Sequence, residues 1–191
     1  MNVQTADDRQ LAKDCTRGST GAQYRLYNRY AGYMMALCSR YTKCRADAED
    51  VLQEGFVKVF RNIGKYKGDG NLGAWIRKIM INTAIDYLKK NNKYQVSLFY
   101  PDADNMHPVS NDNPGVDIAA EELTKMIMQL PAGYQLIFNL YAVDGYNHAE
   151  IAKMLGIQEV TSRSQYARAR KLLISWLRKE EDEIKAEKYG K

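Results

Sequence analysis

Asp144-Gly145-Tyr146-Asn147-His148-Ala149-Glu150-Ile151-Ala152-Lys153-Met154-Leu155-Gly156-Ile157 decides the fold of this 191-residue chain. Asn147 followed three residues later by Glu150 is the pattern of a capping box, in which each side chain bonds the other's backbone N–H and starts a helix. Ile151, Ala152 and Leu155 then fall on one side of a short helix, and the small Ala152 lets a second helix come close. Gly156 suits a tight turn that needs positive φ, and Ile157 anchors that turn. A second helix is predicted from Glu159, carrying Thr161, Arg163, Ser164, Gln165, Arg168, Arg170 and Lys171, with Tyr166, Ala169 and Leu173 on its inward side. Two helices at a tight turn, the second one basic, make a helix-turn-helix. A helix about 10–12 Å across fits the major groove of DNA. Thr161, Arg163, Ser164 and Gln165 stand where side chains reach base edges, and Arg168 and Lys171 where they hold phosphates. His148 reads as a first-turn surface residue rather than a ligand. The bland alternative is a helical hairpin with solvated arginines.

Moving outward, the charge is concentrated. The chain carries a net +5, with a sequence pI near 9.0. Between Gly145 and Lys179 seven basic side chains face two acidic ones, a net of +5. Between Arg61 and Lys93 eight basic side chains face two acidic ones, a net of +6. Residues 101–122 hold six acids and no Lys or Arg. Two basic blocks on folded elements suggest two contacts with a polyanion.

The first half reads as helices. Leu26, Tyr30, Met34, Leu37 and Tyr41 form one apolar stripe of helical period; Val51, Leu52, Phe56, Val59, Phe60 and Ile63 form a second; Leu72, Trp75, Ile76, Ile79, Met80, Thr83, Tyr87 and Leu88 form a third. Asp47 is the expected N-cap of the second helix. Gly64 and Gly68-Asp69-Gly70 break it from the third. Residues 94–116, with Pro101, Pro108 and Pro114, have no sustained period and read as a flexible linker. Helical patterning resumes at Ile118, Leu123, Met126, Ile127 and Leu130, and Pro131 fits the first turn of the next helix. The expected fold is all-α: two small helical domains, 1–93 and 117–191, joined by an acidic linker, 94–116. No apolar run approaches the ~20 residues that span a bilayer. The polar N-terminus has no signal-peptide core, and three cysteines do not make a disulfide framework. The expectation is a cytoplasmic protein without a metal or other cofactor. Cys38 is expected in the core.

The segment Ala48 to Phe60 joins its apolar stripe to an acidic and amide face, Asp50, Gln53 and Glu54, with Leu52 and Phe56 nearby. Asp-Val-Leu-Gln-Glu-x-Phe, then Trp-Ile-x-x-Ile-x-x-Asn-x-Ala-x-Asp-x-Leu-Lys-Lys, then the helix-turn-helix, resembles a bacterial RNA polymerase sigma factor of the sigma-70 family. The resemblance is to the compact extracytoplasmic-function (ECF) group, which has only regions two and four. It covers about residues 22–93 and 117–178. It implies that Asp50, Leu52, Gln53, Glu54 and Phe56 dock on the β′ clamp helices of core polymerase, with the β flap as a further contact. It implies that Asn82 and the basic residues around it meet the melted minus-ten element, and that Arg163, Ser164 and Arg168 contact minus-thirty-five. The linker would thread toward the polymerase active site. The resemblance also implies an anti-sigma factor, membrane-bound in many such systems. Val160, Ser162 and Gln165 depart from residues common in the family, as do Leu72, Gly73 and Ala74 in the loop that reads a flipped base.

Opening the minus-ten element requires a surface that binds single strands. Lys65, Tyr66, Lys67, Lys78, Asn82, Lys89 and Lys90 are the candidates for it. Tyr66, in the glycine-bounded loop, is a better stacking platform than Trp75, which lies on the apolar stripe. The main alternative function is a stand-alone helix-turn-helix transcriptional regulator, with 1–93 as a ligand or dimerisation domain. A nucleic-acid enzyme is disfavoured, because the sequence offers no P-loop, no convincing metal-binding carboxylate cluster and no nucleophile with a base.

Overall fold

The computed structural model describes residues 3–68, 70–90 and 118–189, with side chains over 7–68, 70–90 and 122–178. The expected linker, 94–116, lies outside the described residues. Every regular element among those described is helical, and the chain divides into two compact units, residues 1–91 and 92–191.

The first unit holds α1 (Val3–Thr16), α2 (Thr20–Ser39), α3 (Arg45–Asn62), which runs on into a 3-10 turn at Ile63–Lys65, and α4 (Leu72–Lys90). The three stripes read from sequence meet in its core: Leu26, Met34 and Leu37 from α2, Val51 and Val59 from α3, Leu72, Ile76 and Met80 from α4 are all buried. α3 and α4 pack closely at Gly55, since a Cβ added there would stand 2.2 Å from Met80 Sδ. Asp47 is not the cap of α3. The cap is Cys44, in extended conformation, whose sulfur accepts from the Asp47 N–H at 3.5 Å. Asp47 sits inside the first turn, where its charge still suits the positive end of the helix dipole.

The N-terminal segment, read as a polar arm, is helical. It buries Leu11, Ala12 and Cys15 on the rest of the unit. Asp8 is buried with them. Its Oδ1 accepts from Arg29 Nη1 at 3.1 Å and from the Tyr30 hydroxyl at 3.2 Å, while Arg29 Nη2 donates to Asp7 at 2.7 Å. A buried carboxylate is tolerated because both contacts come from donors. Burial, with Asp8 beside it, pushes the Tyr30 hydroxyl up to about 12. Cys38 is in the core as expected, and burial pushes its thiol up to about 12 as well.

The second unit holds α5 (Ile118–Gln129), α6 (Ala132–Phe138), α7 (His148–Leu155) and α8 (Glu159–Tyr189). Pro131 caps α6. Leu130, Tyr134, Ala169 and Leu173 form a core cluster, with Met126, Ile127, Phe138, Leu172 and Trp176 packed against it. After Phe138, α6 widens into a π-helical turn, Asn139–Val143. The extra residue in that turn was not visible in the apolar stripe. The charged tail from Glu180 continues as helix to Tyr189.

Candidate nucleic-acid interface

The helix-turn-helix forms as its sequence dictates. Asn147 Oδ1 accepts from the Glu150 N–H at 2.9 Å, and Glu150 Oε2 accepts from the Asn147 N–H at 2.9 Å, which completes the capping box of α7. Gly156 ends α7 with φ +73, and its N–H donates to the Ala152 carbonyl at 2.9 Å. Ile151, Ala152 and Leu155 face inward. α8 follows after two residues, with Ala169 and Leu173 buried and Tyr166 half-buried on its inner side.

The outer side of α8 presents Arg163, Ser164, Arg168 and Lys171, all exposed, with Thr161 half-buried at its edge. Arg170 shares that side, seven residues beyond Arg163, and joins the cationic set. Val160 stands one turn before Ser164 and is 64% exposed. Glu159 holds Arg163: its Oε1 accepts from Nε at 3.1 Å and from Nη2 at 2.5 Å. The two bonds use two of the guanidinium's five N–H donors. Gln165 is placed differently from the reading above. It is buried, 3% exposed, on the side of α8 turned into the unit, and does not present its amide outward.

Ser162 is also buried, and its hydroxyl lies 2.9 Å from His148 Nδ1. The imidazole stacks on Tyr141 with centroids 4.3 Å apart and planes at 12°, and Tyr166 packs at 5.8 Å. Burial, and then the Arg163 charge, pushes the His148 pKa below its ordinary value against the opposite pull of Glu159. His148 is thus a joint between α7 and α8, which gives a buried serine a hydrogen-bond partner.

In the first unit, Lys78, Asn82 and Lys89 lie at four- and seven-residue steps along α4 and are exposed, as are Lys90, Lys65 and Lys67. Tyr66 is half-buried. Its hydroxyl donates to the Gly70 carbonyl, and its ring packs against a half-buried Trp75 at 5.8 Å. Asp86, the acid on this side of α4, is met by Lys58 Nζ at 3.2 Å, which also reaches Glu54 at 3.0 Å. Burial alone would lower the Lys58 pKa, but its hydrogen bonds to Glu54 and Asp86 raise it overall.

Two family models match this chain in order: Sigma-70 region 2 over residues 26–94 and Sigma-70, region 4 over residues 120–173. The chain belongs to the sigma-70 family. Its relatives include ECF RNA polymerase sigma-E factors. That of Haemophilus influenzae is 27% identical over 176 residues, 87% of this chain and 93% of that protein. That of Escherichia coli is 28% identical over 179 residues, 87% and 92% of the two chains. The ECF sigma factor SigM of Mycobacterium tuberculosis is 25% identical over 163 residues, 85% and 81%. Among solved structures, the sigma factor RpoE of Bartonella quintana, crystallised with the anti-sigma factor NepR, shares the fold. Its TM-score is 0.54 at 17% identity, covering 81% of this chain and 96% of that one.

The protein is therefore an ECF sigma factor, and the stand-alone regulator with 1–93 as a ligand or dimerisation domain is not favoured, because residues 26–94 match a sigma region. Within this sigma factor the residues expected to face the polymerase divide by exposure. Asp50 and Gln53 are exposed and Glu54 is half-buried, whereas Leu52 and Phe56 are 6% and 3% exposed. Phe56 packs against Tyr27 at 4.7 Å. Leu52 and Phe56 pack α3 into the core of its own unit. The apolar stripe that flagged these residues is the same one that buries them.

Proposed function

We propose that the sigma factor divides promoter recognition between its two units. Residues 1–93 dock on core polymerase and hold the opened minus-ten strand. Residues 117–191 read minus-thirty-five as duplex, and 94–116 link them through the polymerase. Docking runs through Asp50, Gln53 and Glu54 on the exposed side of α3, toward a basic or amide-rich helix pair such as the β′ clamp. Minus-ten is met by Lys78, Asn82, Lys89 and Lys90 of α4 with the Lys65–Tyr66–Lys67 turn. Minus-thirty-five is met by Thr161, Arg163, Ser164, Arg168 and Lys171 of α8, with the β flap contacted by the same unit.

The energetics suit this division. Extruding a base costs a few kcal/mol, and stacking it on an aromatic returns about 1–3 kcal/mol. Neither element alone needs to hold the complex. The chemistry of nucleotide addition belongs to the polymerase, and the chain itself acts without catalysis in the cytoplasm, beside its partner. No described helix is long and apolar enough to cross a membrane. An anti-sigma factor, soluble or membrane-bound, is the expected regulator by analogy with the bound form of the Bartonella quintana protein.

The observation that carries the reading is the pairing of a sigma region-two unit and a region-four unit, in that order, each with a cationic face on an exposed helix. Run-off transcription from fragments of the host genome, with core polymerase and with or without the protein, tests it. Discrete transcripts that require both components are expected. Identical transcripts from core alone would overturn it.

A further inference from the structure

α8 opens with an aliphatic side chain that the second unit does not bury. Val160 is its second residue and is 64% exposed, the most exposed valine, leucine or isoleucine among the described residues. Single apolar residues on a surface are ordinary; what marks this one is its place. At about 100° per residue, Ala167 falls about 20° and Ser164 about 40° from Val160 around the helix axis. All three are exposed. The buried side, with Ser162, Gln165, Ala169 and Leu173, lies opposite. Val160 therefore stands at the middle of the outward side and not at its edge.

Cations frame that middle row. Arg163 and Arg170 lie about 60–80° to one side of Val160, and Arg168 about 80° to the other. All three are exposed. Arg163 donates through Nε and Nη2 to Glu159 Oε1, on the flank away from the row. Ser164 turns its hydroxyl to the Thr161 carbonyl at 3.0 Å. The middle of the face thus presents two aliphatic groups and a serine bonded to the helix backbone.

A helix in the major groove sets its middle row against the base edges and its flanks against the phosphates of the two strands. Its N-terminal residues are the ones that contact the bases. Base edges there offer donors, acceptors and one apolar group, the C5 methyl of thymine. Valine has no partner for the donors or acceptors, and it matches the methyl. Being β-branched, it is also stiff at χ1 in a helix, so its own methyls are held in place before contact.

We propose that Val160 reads thymine at minus-thirty-five by packing against its C5 methyl, as a specificity residue beside the polar set of α8. This inference rests on the reading of α8 as the minus-thirty-five helix. Unlike a phosphate contact, it releases no counterion, so its contribution does not vary with salt.

Uracil differs from thymine only by that methyl, which makes the test specific. Holoenzyme binding is measured to a duplex promoter recovered by run-off transcription. It is repeated with each thymine of minus-thirty-five, on either strand, replaced in turn by uracil, and with the whole element scrambled. With wild type, uracil at one position weakens binding about fourfold, the worth of about one buried methyl, and equally at 50 and 200 mM salt. Val160→Ala weakens binding to the thymine promoter by a similar factor, loses the uracil effect at that position and binds core polymerase unchanged. The inference is overturned if no uracil weakens wild-type binding, if minus-thirty-five holds no thymine, if Val160→Ala keeps the uracil effect, or if that variant loses core binding instead. Indifference of wild-type holoenzyme to the scrambled element would overturn the reading of α8 itself, which separates the two failures.

Discussion

Gly55→Ala tests whether the packing of α3 on α4 is as close as its geometry states. Two effects of opposite sign meet at this position. In an isolated helix the change would stabilise by about 1 kcal/mol, because alanine restricts the unfolded chain more than glycine does. Here the new Cβ lands 2.2 Å from Met80 Sδ and 3.0 Å from its Cε, far inside the contact distance of about 3.5–4.0 Å. A methionine could swing aside on a surface, but Met80 is fully buried. Overpacking of this kind costs about 1–3 kcal/mol. The net expectation is a loss of about 1 kcal/mol, which lowers the melting temperature of a unit of this size by about 4–8 °C.

The decisive comparison repeats Gly55→Ala in a Met80→Ala background. That background is itself weakened by about 2–5 kcal/mol, but it has room for the new methyl, so Gly55→Ala should there stabilise by about 1 kcal/mol. The coupling between the two sites is then about 2 kcal/mol, within the range for residues in contact. Urea unfolding of the four proteins measures it. Stabilisation by Gly55→Ala in both backgrounds would refute the close approach, and with it the spacing between the Asp50–Gln53 face of α3 and the Lys78–Asn82 face of α4.

Other expectations concern recognition and pH. Arg163→Ala should lose discrimination at one position of minus-thirty-five, worth about 1–3 kcal/mol if the contact is bidentate to guanine; a uniform loss across single-base promoter variants would make Arg163 a phosphate clamp. Lys171→Ala should weaken binding to all sequences alike and reduce the salt slope by about 1. Asp50→Lys with Glu54→Lys should abolish pull-down of core polymerase by a folded protein, and Asp50→Lys alone, which leaves the Glu54–Lys58 pair intact, should weaken it and make it salt-sensitive; undiminished capture would remove α3 as the docking face. His148 has a pKa lowered on folding, so the unfolded chain takes up protons first as pH falls below about 6.5. Its contribution to stability is full above that value and is lost as pH drops through the lower folded pKa. Melting of the wild-type protein should therefore fall more steeply between pH 7 and 5 than that of His148→Gln, and parallel curves would show that the imidazole is not linked to folding.

The sequence by itself determined what is local or periodic. The capping box at Asn147 and Glu150, the left-handed Gly156 and the start of α8 at Glu159 involve atoms a few residues apart, so their residue types suffice. The apolar stripes of α2, α3 and α4 were legible for the same reason, since helical period assigns faces without knowledge of partners. Tertiary structure decided whatever depends on the neighbour across the gap. Gln165 lies close enough to the polar side of α8 to pass as a reader of bases, and only the packing of the unit turns it inward. Leu52 and Phe56 belong to the docking motif by pattern and to the core by contact. α1 was hidden because its few apolar residues give a weak stripe and its buried Asp8 looks like a solvent residue; Arg29 and Tyr30, more than twenty positions away, satisfy it. Ser162 and His148 stand fourteen residues apart and meet at 2.9 Å. Period and capping are written in one segment, whereas a buried polar group is stable only through a partner from another helix, and the fold brings that partner to it.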